Sequence, residues 1–310
     1  MKIAIAHDYL LQFGGAERVV STWADMLPKS SVSCLAYLPD RTFPNFRDRS
    51  VTASIVNAKL AARIEYLLPL LPSFASSTRV GAGDVALVSS SGWAHMFSYE
   101  MPTVAYLHSP ARWLYAAHDY KKSLGAIGRI GLGMSKSYLI GRDRRAMSSM
   151  SALVSNSETT RLRVKQAYGR DSIVIHPPVT SVSSTEEEPS RRLPSSYALV
   201  VSRNKGYKNV TLALDAAKIA GIAVAVVGSG SEQYDSPEDR VFGLGRLSDA
   251  QLLWLYSHAS VIVGSAHEDF GLTVLEAGLC GTPAATLNRG GVPGDGVSGS
   301  KRHIRARRIR

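Results

Sequence analysis

Short apolar runs rich in β-branched residues alternate along the chain with segments of helical length. Strands are predicted in a first series at Ile3–His7, Val32–Leu38, Val85–Ser90, Thr103–His108, Ala152–Ser155 and Ile173–His176. A second series is predicted at Tyr197–Ser202, Ala223–Gly228, Val241–Gly245, Val261–Ser265 and Ala284–Leu287. Helices are predicted between them at Ala16–Leu27, Glu158–Tyr168, Lys208–Ala220 and Ser248–His258. Strands that are apolar throughout and alternate with helices predict parallel sheets covered on both faces, an α/β fold.

A polar, proline-containing stretch at Thr180–Ser196 separates the two series. It has no hydrophobic periodicity, which is typical of a linker. We therefore expect an amino-terminal Rossmann-like domain over 1–180, a linker over 181–196 and a second Rossmann-like domain over 197–297, followed by a basic tail over 298–310. Because ligands bind at the carboxyl ends of parallel strands, two such domains are expected to face each other across a ligand-binding cleft.

Composition limits the class of protein. The 310 residues correspond to about two domains, and 45% apolar and 20% charged residues are typical of a globular enzyme. No apolar run approaches the roughly 18 residues of a membrane-spanning helix, and the two cysteines are far apart in sequence, which favours the cytoplasm. The net charge is +11, but the last ten residues hold six of the 36 Lys and Arg, so the rest of the chain has 30 minus 25, or +5.

The segment His267–Ala277, with the sequence HEDFGLTVLEA, places two acids around a predicted helix start. It follows the apolar run that ends at Ser265, so its loop is expected at the carboxyl edge of the sheet, with a helix over Leu272–Leu279. Backbone N–H groups and the helix dipole at such a start favour an anion, for example a phosphate. Glu268 could accept hydrogen bonds from ligand hydroxyls, and Glu276 could reach a ribose. Two solvated glutamates are an equally good interpretation of the spacing alone.

Two other segments bring polar groups to strand ends. Arg203, Lys205 and Lys208 follow the strand that ends at Ser202, and cations of this kind bind phosphate, although a solvated basic loop is the commoner case. Gly14 and Gly15 stand between the first strand and the first helix, where glycines allow a phosphate or a sugar to approach, or simply form a turn.

His108 ends a strand ahead of a proline and is therefore expected at the edge of the cleft, although a lone histidine is usually structural. Neither G-x-G-x-x-G nor G-x-x-x-x-G-K-[ST] occurs, which argues against a nicotinamide enzyme and a P-loop NTPase.

Taken together, these motifs resemble the retaining glycosyltransferases of family 4, which have the GT-B fold, also called glycosyl transferases group 1. The resemblance is closest to bacterial mannosyltransferases of O-antigen and exopolysaccharide synthesis, and it runs from residue 1 to about 297. It rests on Glu268-x7-Glu276 with Phe-Gly-Leu between the acids, on the following AGLCGTP and NRGG, and on the segments FGGAERV, YLHSPAR, SNS and VIHPPV.

The resemblance implies roles for individual residues. Arg203 and Lys208 would hold the donor diphosphate with help from the 270–272 backbone (Phe270, Gly271 and Leu272). Glu276 would bind the ribose, Glu268 the hydroxyls of the transferred sugar, and His108 the sugar near the reacting carbon. Gly14 and Gly15 would let the donor phosphate and the acceptor meet.

The implied donor is a nucleoside-diphosphate sugar, with GDP-mannose preferred, and the implied acceptor is a glycan or a lipid-linked sugar. No cofactor or metal is implied, and the D-x-D motif of the other large glycosyltransferase fold does not occur.

After Gly291 the sequence departs from the family pattern, and a truncated second domain is expected. The segment Lys121–Arg145 has seven basic residues and one acid among apolar ones, which suits peripheral contact with an anionic membrane, or simply a solvated helix face. Three alternatives stay open: a non-catalytic binder of sugar nucleotides, a sugar-nucleotide epimerase of the same fold and, ranked last, nucleic-acid binding through the tail.

Overall fold

A computed structural model describes residues 1–55, 57–61, 71–115, 126–179, 185–202, 209–265, 269–287 and 306–307. The chain divides into two compact units, Met1–Pro178 and Val179–Arg310, and each has its own sheet.

The first unit contains a seven-stranded parallel sheet in the order β3-β2-β1-β4-β5-β6-β7. Its strands are β1 (Ile3–His7), β2 (Ser31–Ala36), β3 (Val51–Ile55), β4 (Val85–Ser90), β5 (Thr103–Leu107), β6 (Ala152–Ser155) and β7 (Ile173–Val174). Its helices are α1 (Gly15–Met26), α2 (Ala58–Ala61), α3 (Leu71–Ser77), α4 (Arg112–Tyr115), α5 (Ala126–Ser148) and α6 (Glu158–Tyr168).

The second unit contains a six-stranded sheet in the order β10-β9-β8-β11-β12-β13. Its strands are β8 (Tyr197–Val201), β9 (Ala223–Val227), β10 (Val241–Gly243), β11 (Val261–Gly264), β12 (Ala284–Thr286) and β13 (Ala306–Arg307). The last of them pairs antiparallel to β12, whereas the other pairs are parallel. Its helices are α7 (Val210–Ala220), α8 (Asp249–His258) and α9 (Leu272–Leu279).

Apolar residues on both faces of each sheet form the cores. In the first unit one cluster is built around Leu35, Leu107 and Met147, and another around Ile5 and Phe46. In the second unit a large cluster surrounds Tyr197, Leu199 and Ile262, and a smaller one lies under α7. Burial on both faces explains why the strands are continuously apolar.

Several helix ends are fixed by their own sequence. Ser248 and Gln251 form a reciprocal capping box at the start of α8. The side chain of Ser157 accepts a hydrogen bond from the backbone N–H of Thr160 at the start of α6, and Gly169 ends that helix in the left-handed conformation. None of the helices in the described part of the chain is both long and apolar enough to cross a membrane.

Candidate functional site

The start of α9 follows the carboxyl end of β11, as the sequence predicted. Gly271 precedes the helix with a φ of 86°, in the left-handed region that favours glycine. Phe270 is buried beside it, and Leu272 is partly buried. The first N–H groups of an α-helix have no acceptor within the helix, so this start can offer donors to an anion.

Glu276 lies on the buried side of α9 and is only 8% exposed. The hydroxyl of Tyr256, in α8, donates a hydrogen bond of 2.9 Å to its Oε2 atom. The backbone carbonyl of Tyr256 in turn accepts a hydrogen bond from the hydroxyl of Thr282. Glu276 is therefore a positioned acceptor rather than a freely moving surface acid. Sequence reasoning missed Tyr256, because a tyrosine within an apolar helix gives no sign of the acid it contacts.

Glu268, Arg203 and Lys208 lie outside the described residues, as does Lys205. The strands that precede them in sequence, β11 and β8, are neighbours in the sheet and run parallel. Both predicted loops therefore start from adjacent strands at the same edge of the second unit's sheet.

His108 follows β5 at the carboxyl edge of the first unit's sheet and is 9% exposed. Its Nε2 atom lies 2.8 Å from the hydroxyl of Ser89, at the end of β4. The same hydroxyl is 2.9 Å from Nδ1 of His7, the last residue of β1. Burial, and to a lesser extent the charge of a protonated His7, lower the pKa of His108 to about 3. His108 is therefore neutral at neutral pH.

The backbone carbonyl of His108 is held by side chains from the junction of β6 and α6. Its carbonyl accepts hydrogen bonds from the side-chain amide of Asn156 at 3.2 Å and from the hydroxyl of Thr160 at 3.3 Å. These residues flank the junction of β6 and α6, where Ser157 caps the helix. Asn156 of the S-N-S motif and Thr160 thus hold the backbone of His108, a role that was not evident from the sequence.

Gly14 and Gly15 lie at the start of α1. Gly14 is buried and extended in the N-cap position, and Gly15 is the first helical residue. In the first turn Glu17 is 2% exposed and accepts a hydrogen bond of 2.7 Å from the side-chain amide of Gln12. Its other oxygen, Oε2, is buried without a partner among the residues the structure describes. Sequence reasoning did not single out Glu17, although an acid in a first turn after two glycines is a usable signal.

The predicted residues thus form two groups. His108, Gly14 and Gly15 lie at or near the carboxyl edge of the first sheet, whereas the 270–272 backbone and Glu276 lie at that of the second. Across the described ranges, no three His, Cys, Asp or Glu side chains come together in a way that could hold a metal ion.

Residues 184–296 match the family model of glycosyl transferases group 1. The chain is also 28% identical over 247 residues to a D-inositol 3-phosphate glycosyltransferase of Mycolicibacterium smegmatis, a match that covers 71% of this chain and 53% of the relative. The chain thus spans about half the length of that relative.

Two solved structures share the fold over most of the chain. Sucrose-phosphate synthase from Thermosynechococcus elongatus is 16% identical with a TM-score of 0.65, over 94% of this chain and 82% of that one. HepE of Anabaena, in complex with UDP-glucose, is 17% identical with a TM-score of 0.62 over the same shares. The chain therefore has the GT-B fold of two α/β units, and its residues 184–296 are similar to the glycosyl transferases group 1 family.

Proposed function

We propose that this protein transfers a hexose from a nucleoside-diphosphate sugar to a glycan or a lipid-linked acceptor. The observation that carries the proposal is the start of α9 within the family-matched segment. There, backbone donors for an anion lie one helical turn before Glu276, an acceptor that Tyr256 holds in place. Donors suit a diphosphate and an acceptor suits a ribose, and a nucleoside diphosphate has both groups side by side.

The proposed reaction breaks the bond between the sugar's anomeric carbon and the diphosphate oxygen and forms a bond from that carbon to a hydroxyl oxygen of the acceptor, whose proton passes to the departing diphosphate. Negative charge then develops on the leaving oxygen, and donors at the start of α9 stabilise it together with the proposed cations Arg203 and Lys208. Glu268 is proposed to accept hydrogen bonds from hydroxyls of the transferred sugar, and His108 to contact that sugar near the reacting carbon. Gly14 and Gly15 are proposed to let the acceptor approach closely.

The proposed donor is GDP-mannose, which rests on resemblance to mannosyltransferases of polysaccharide synthesis, with retention of configuration as in family 4. UDP-glucose is the competing donor, because the similar HepE structure is a complex with it. Peripheral binding to an anionic membrane is proposed from the basic segment Lys121–Arg145, and it fits a lipid-linked acceptor.

Thermal unfolding with UDP, UDP-glucose, GDP and GDP-mannose is the first test. A ligand that binds only the native state at 100 times its dissociation constant adds about 2.7 kcal/mol to the free energy of unfolding. We expect GDP and GDP-mannose to raise the temperature of unfolding. Stabilisation by the uridine pair alone would overturn the GDP-mannose assignment, and no response to any of the four would overturn the proposed function.

The variant Glu276→Gln tests the site directly, with Glu188→Gln, an exposed acid of the same unit, as the matched control. Losing a hydrogen bond to a charged group should weaken nucleotide binding about 10- to 150-fold in the first variant. The control should bind like the wild type.

Catalysis is then tested by incubating the nucleotide sugar with and without a glycan acceptor. Acceptor-dependent release of nucleoside diphosphate is expected of a transferase, whereas acceptor-independent release would indicate an epimerase, and binding without release a non-catalytic protein.

A further inference from the structure

The hydroxyl of Ser89 joins two histidine rings at the carboxyl edge of the first sheet. Its oxygen lies 2.9 Å from Nδ1 of His7 and 2.8 Å from Nε2 of His108. All three side chains are at most 9% exposed. A hydroxyl has one proton to donate, so it can donate to only one of the two rings and must accept from the other.

A fourth atom, the backbone carbonyl oxygen of Ser89, decides which ring receives the hydroxyl proton. Nδ1 of His7 also lies 3.3 Å from the backbone carbonyl of Ser89, and a carbonyl can only accept. Nδ1 of His7 therefore carries a proton and donates it towards both oxygens of Ser89. The hydroxyl proton of Ser89 is then directed to Nε2 of His108, which must be the unprotonated nitrogen of that ring.

This arrangement determines whether the other ring nitrogen of His108, Nδ1, carries a proton. In a neutral imidazole one nitrogen carries the proton, so Nδ1 of His108 is an N–H donor. Nδ1 has no hydrogen-bond partner within the described ranges, and it is not among the fully buried atoms that lack one. It is therefore the ring nitrogen that can meet a ligand.

We infer that His7 and Ser89 are positioning residues that fix His108 as its Nδ1–H tautomer, so that His108 donates a hydrogen bond to an oxygen of the sugar substrate and does not act as a general base. The identity of the substrate rests on the proposed function, whereas the tautomer is a property of the free protein. An N–H donor at this point favours a hydroxyl or ring oxygen of the sugar as its partner. It cannot take up the proton of the substrate hydroxyl to which the sugar is transferred.

Nitrogen NMR of the free protein labelled with 15N-histidine tests the tautomer, since the chemical shift separates a protonated ring nitrogen from a bare one. The variants His7→Gln and His108→Gln assign the two rings. We expect a proton on Nδ1 of both rings and a bare Nε2 on His108. A proton on Nε2 of His108, or a bare Nδ1 on His7, would overturn the inference whether or not the protein transfers sugar.

The variant Ser89→Ala removes the hydroxyl that orders the tautomer. We expect the His108 signals to change to a mixture of tautomers, or to Nε2–H, and sugar transfer to slow about tenfold, the effect of losing one oriented hydrogen bond of about 1.4 kcal/mol. Ser33→Ala is the matched control, because Ser33 is also a buried serine of the same sheet and its hydroxyl accepts from the backbone of Gly81 instead. An unchanged His108 tautomer in Ser89→Ala would overturn the role of Ser89 even if activity fell.

Discussion

Burial beside His7 keeps His108 uncharged, and this links the stability of the first unit to pH. The pKa of His108 is about 3 in the folded protein, against about 6.5 in an unfolded chain. Below pH 6.5 the His108 ring therefore binds a proton in the unfolded state but not in the folded state. The stabilisation is complete above about pH 6.5 and is lost progressively as the pH falls towards 3, by at most about 1.4 kcal/mol per pH unit.

Urea unfolding at pH 7 and pH 5 should show this directly. Over that interval the free energy of unfolding of the wild type should fall by about 2 kcal/mol more than that of His108→Gln. Ser33→Ala, which removes no titrating group from the same sheet, controls for destabilisation as such and should keep the wild-type dependence on pH. Equal losses in the wild type and His108→Gln would contradict the assignment.

Tyr256 is the second residue whose role depends on one contact. Its hydroxyl donates to Glu276, so Tyr256→Phe should cost about 0.5–1.5 kcal/mol of stability and should also weaken nucleotide binding, because the acid is no longer held. Tyr197→Phe is matched to it, since that buried hydroxyl donates to the backbone carbonyl of Leu255 and does not contact Glu276. Calorimetric titration with nucleotide should separate the two variants. Equal affinity in both would show that the contact does not position Glu276 for a ligand.

Among the elements, α5 is held to the end of β4 by a buried polar chain. Asp143 on α5 accepts hydrogen bonds from Nε2 of His95 at 2.8 Å and from the hydroxyl of Tyr115 at 2.7 Å. Nδ1 of His95 lies 2.9 Å from the hydroxyl of Ser90. Asp8 completes the chain by accepting from that hydroxyl and from the backbone N–H groups of residues 91, 93 and 94. The chain therefore joins the helix to the sheet edge that carries Ser89.

Removing Asp143 should loosen this attachment. Asp143→Ala leaves the donors of His95 and Tyr115 without their acceptor, at about 1–3 kcal/mol for each group, so a loss of about 2–6 kcal/mol is expected. Asp48→Ala, at an exposed position of the same unit, should change the free energy of unfolding by less than about 0.5 kcal/mol. Urea denaturation of the two variants makes the comparison. A similar small effect in both would mean that apolar packing alone holds α5 in place.

The strands were predictable because burial on both faces makes them apolar throughout. Ile3–His7, Val85–Ser90 and Ala152–Ser155 were predicted with the bounds that the structure has. The strand Val51–Ile55 was missed, because it is the outer strand of the sheet and alternates polar with apolar residues. An edge strand that is only partly buried does not need the continuous apolar run that marks the others.

The other predicted strands extended one or two residues too far at their carboxyl ends. The strands end at Leu107, Val201 and Val227, before His108, Ser202 and Gly228. The backbone N–H groups of these three residues still donate to the carbonyls of Ser90, Val227 and Gly245, and the chain then leaves the sheet as a loop. Chemically distinctive residues such as His108 could be picked from the sequence. Ser89 could not, because its importance arises from the register that sets β4 between β1 and β5.

At the scale of the whole molecule, the two units have separate hydrophobic cores. Each cluster of buried residues is drawn from one unit only, and the two sheets share no strand. Each unit therefore has its own source of stability, and a ligand stabilises the unit whose groups it contacts. The polar groups of the two strand edges also differ in kind. The second unit offers helix N–H donors and Glu276, whereas the first offers the His108 donor and the Glu17 acceptor.

Hydrogen exchange followed by mass spectrometry can therefore assign the parts of the ligand to the units. The bare nucleoside diphosphate should slow exchange in peptides covering 269–279 and leave those covering 85–95 and 103–109 unchanged. The nucleotide sugar should protect the same second-unit peptides and, in addition, those of the first unit, because its hexose is proposed to meet His108. With Ser89→Ala the added protection in the first unit should decrease, while protection at 269–279 stays as in the wild type. First-unit protection by the bare nucleotide alone would place the diphosphate, rather than the sugar, at His108, and would reverse the proposed orientation of the donor.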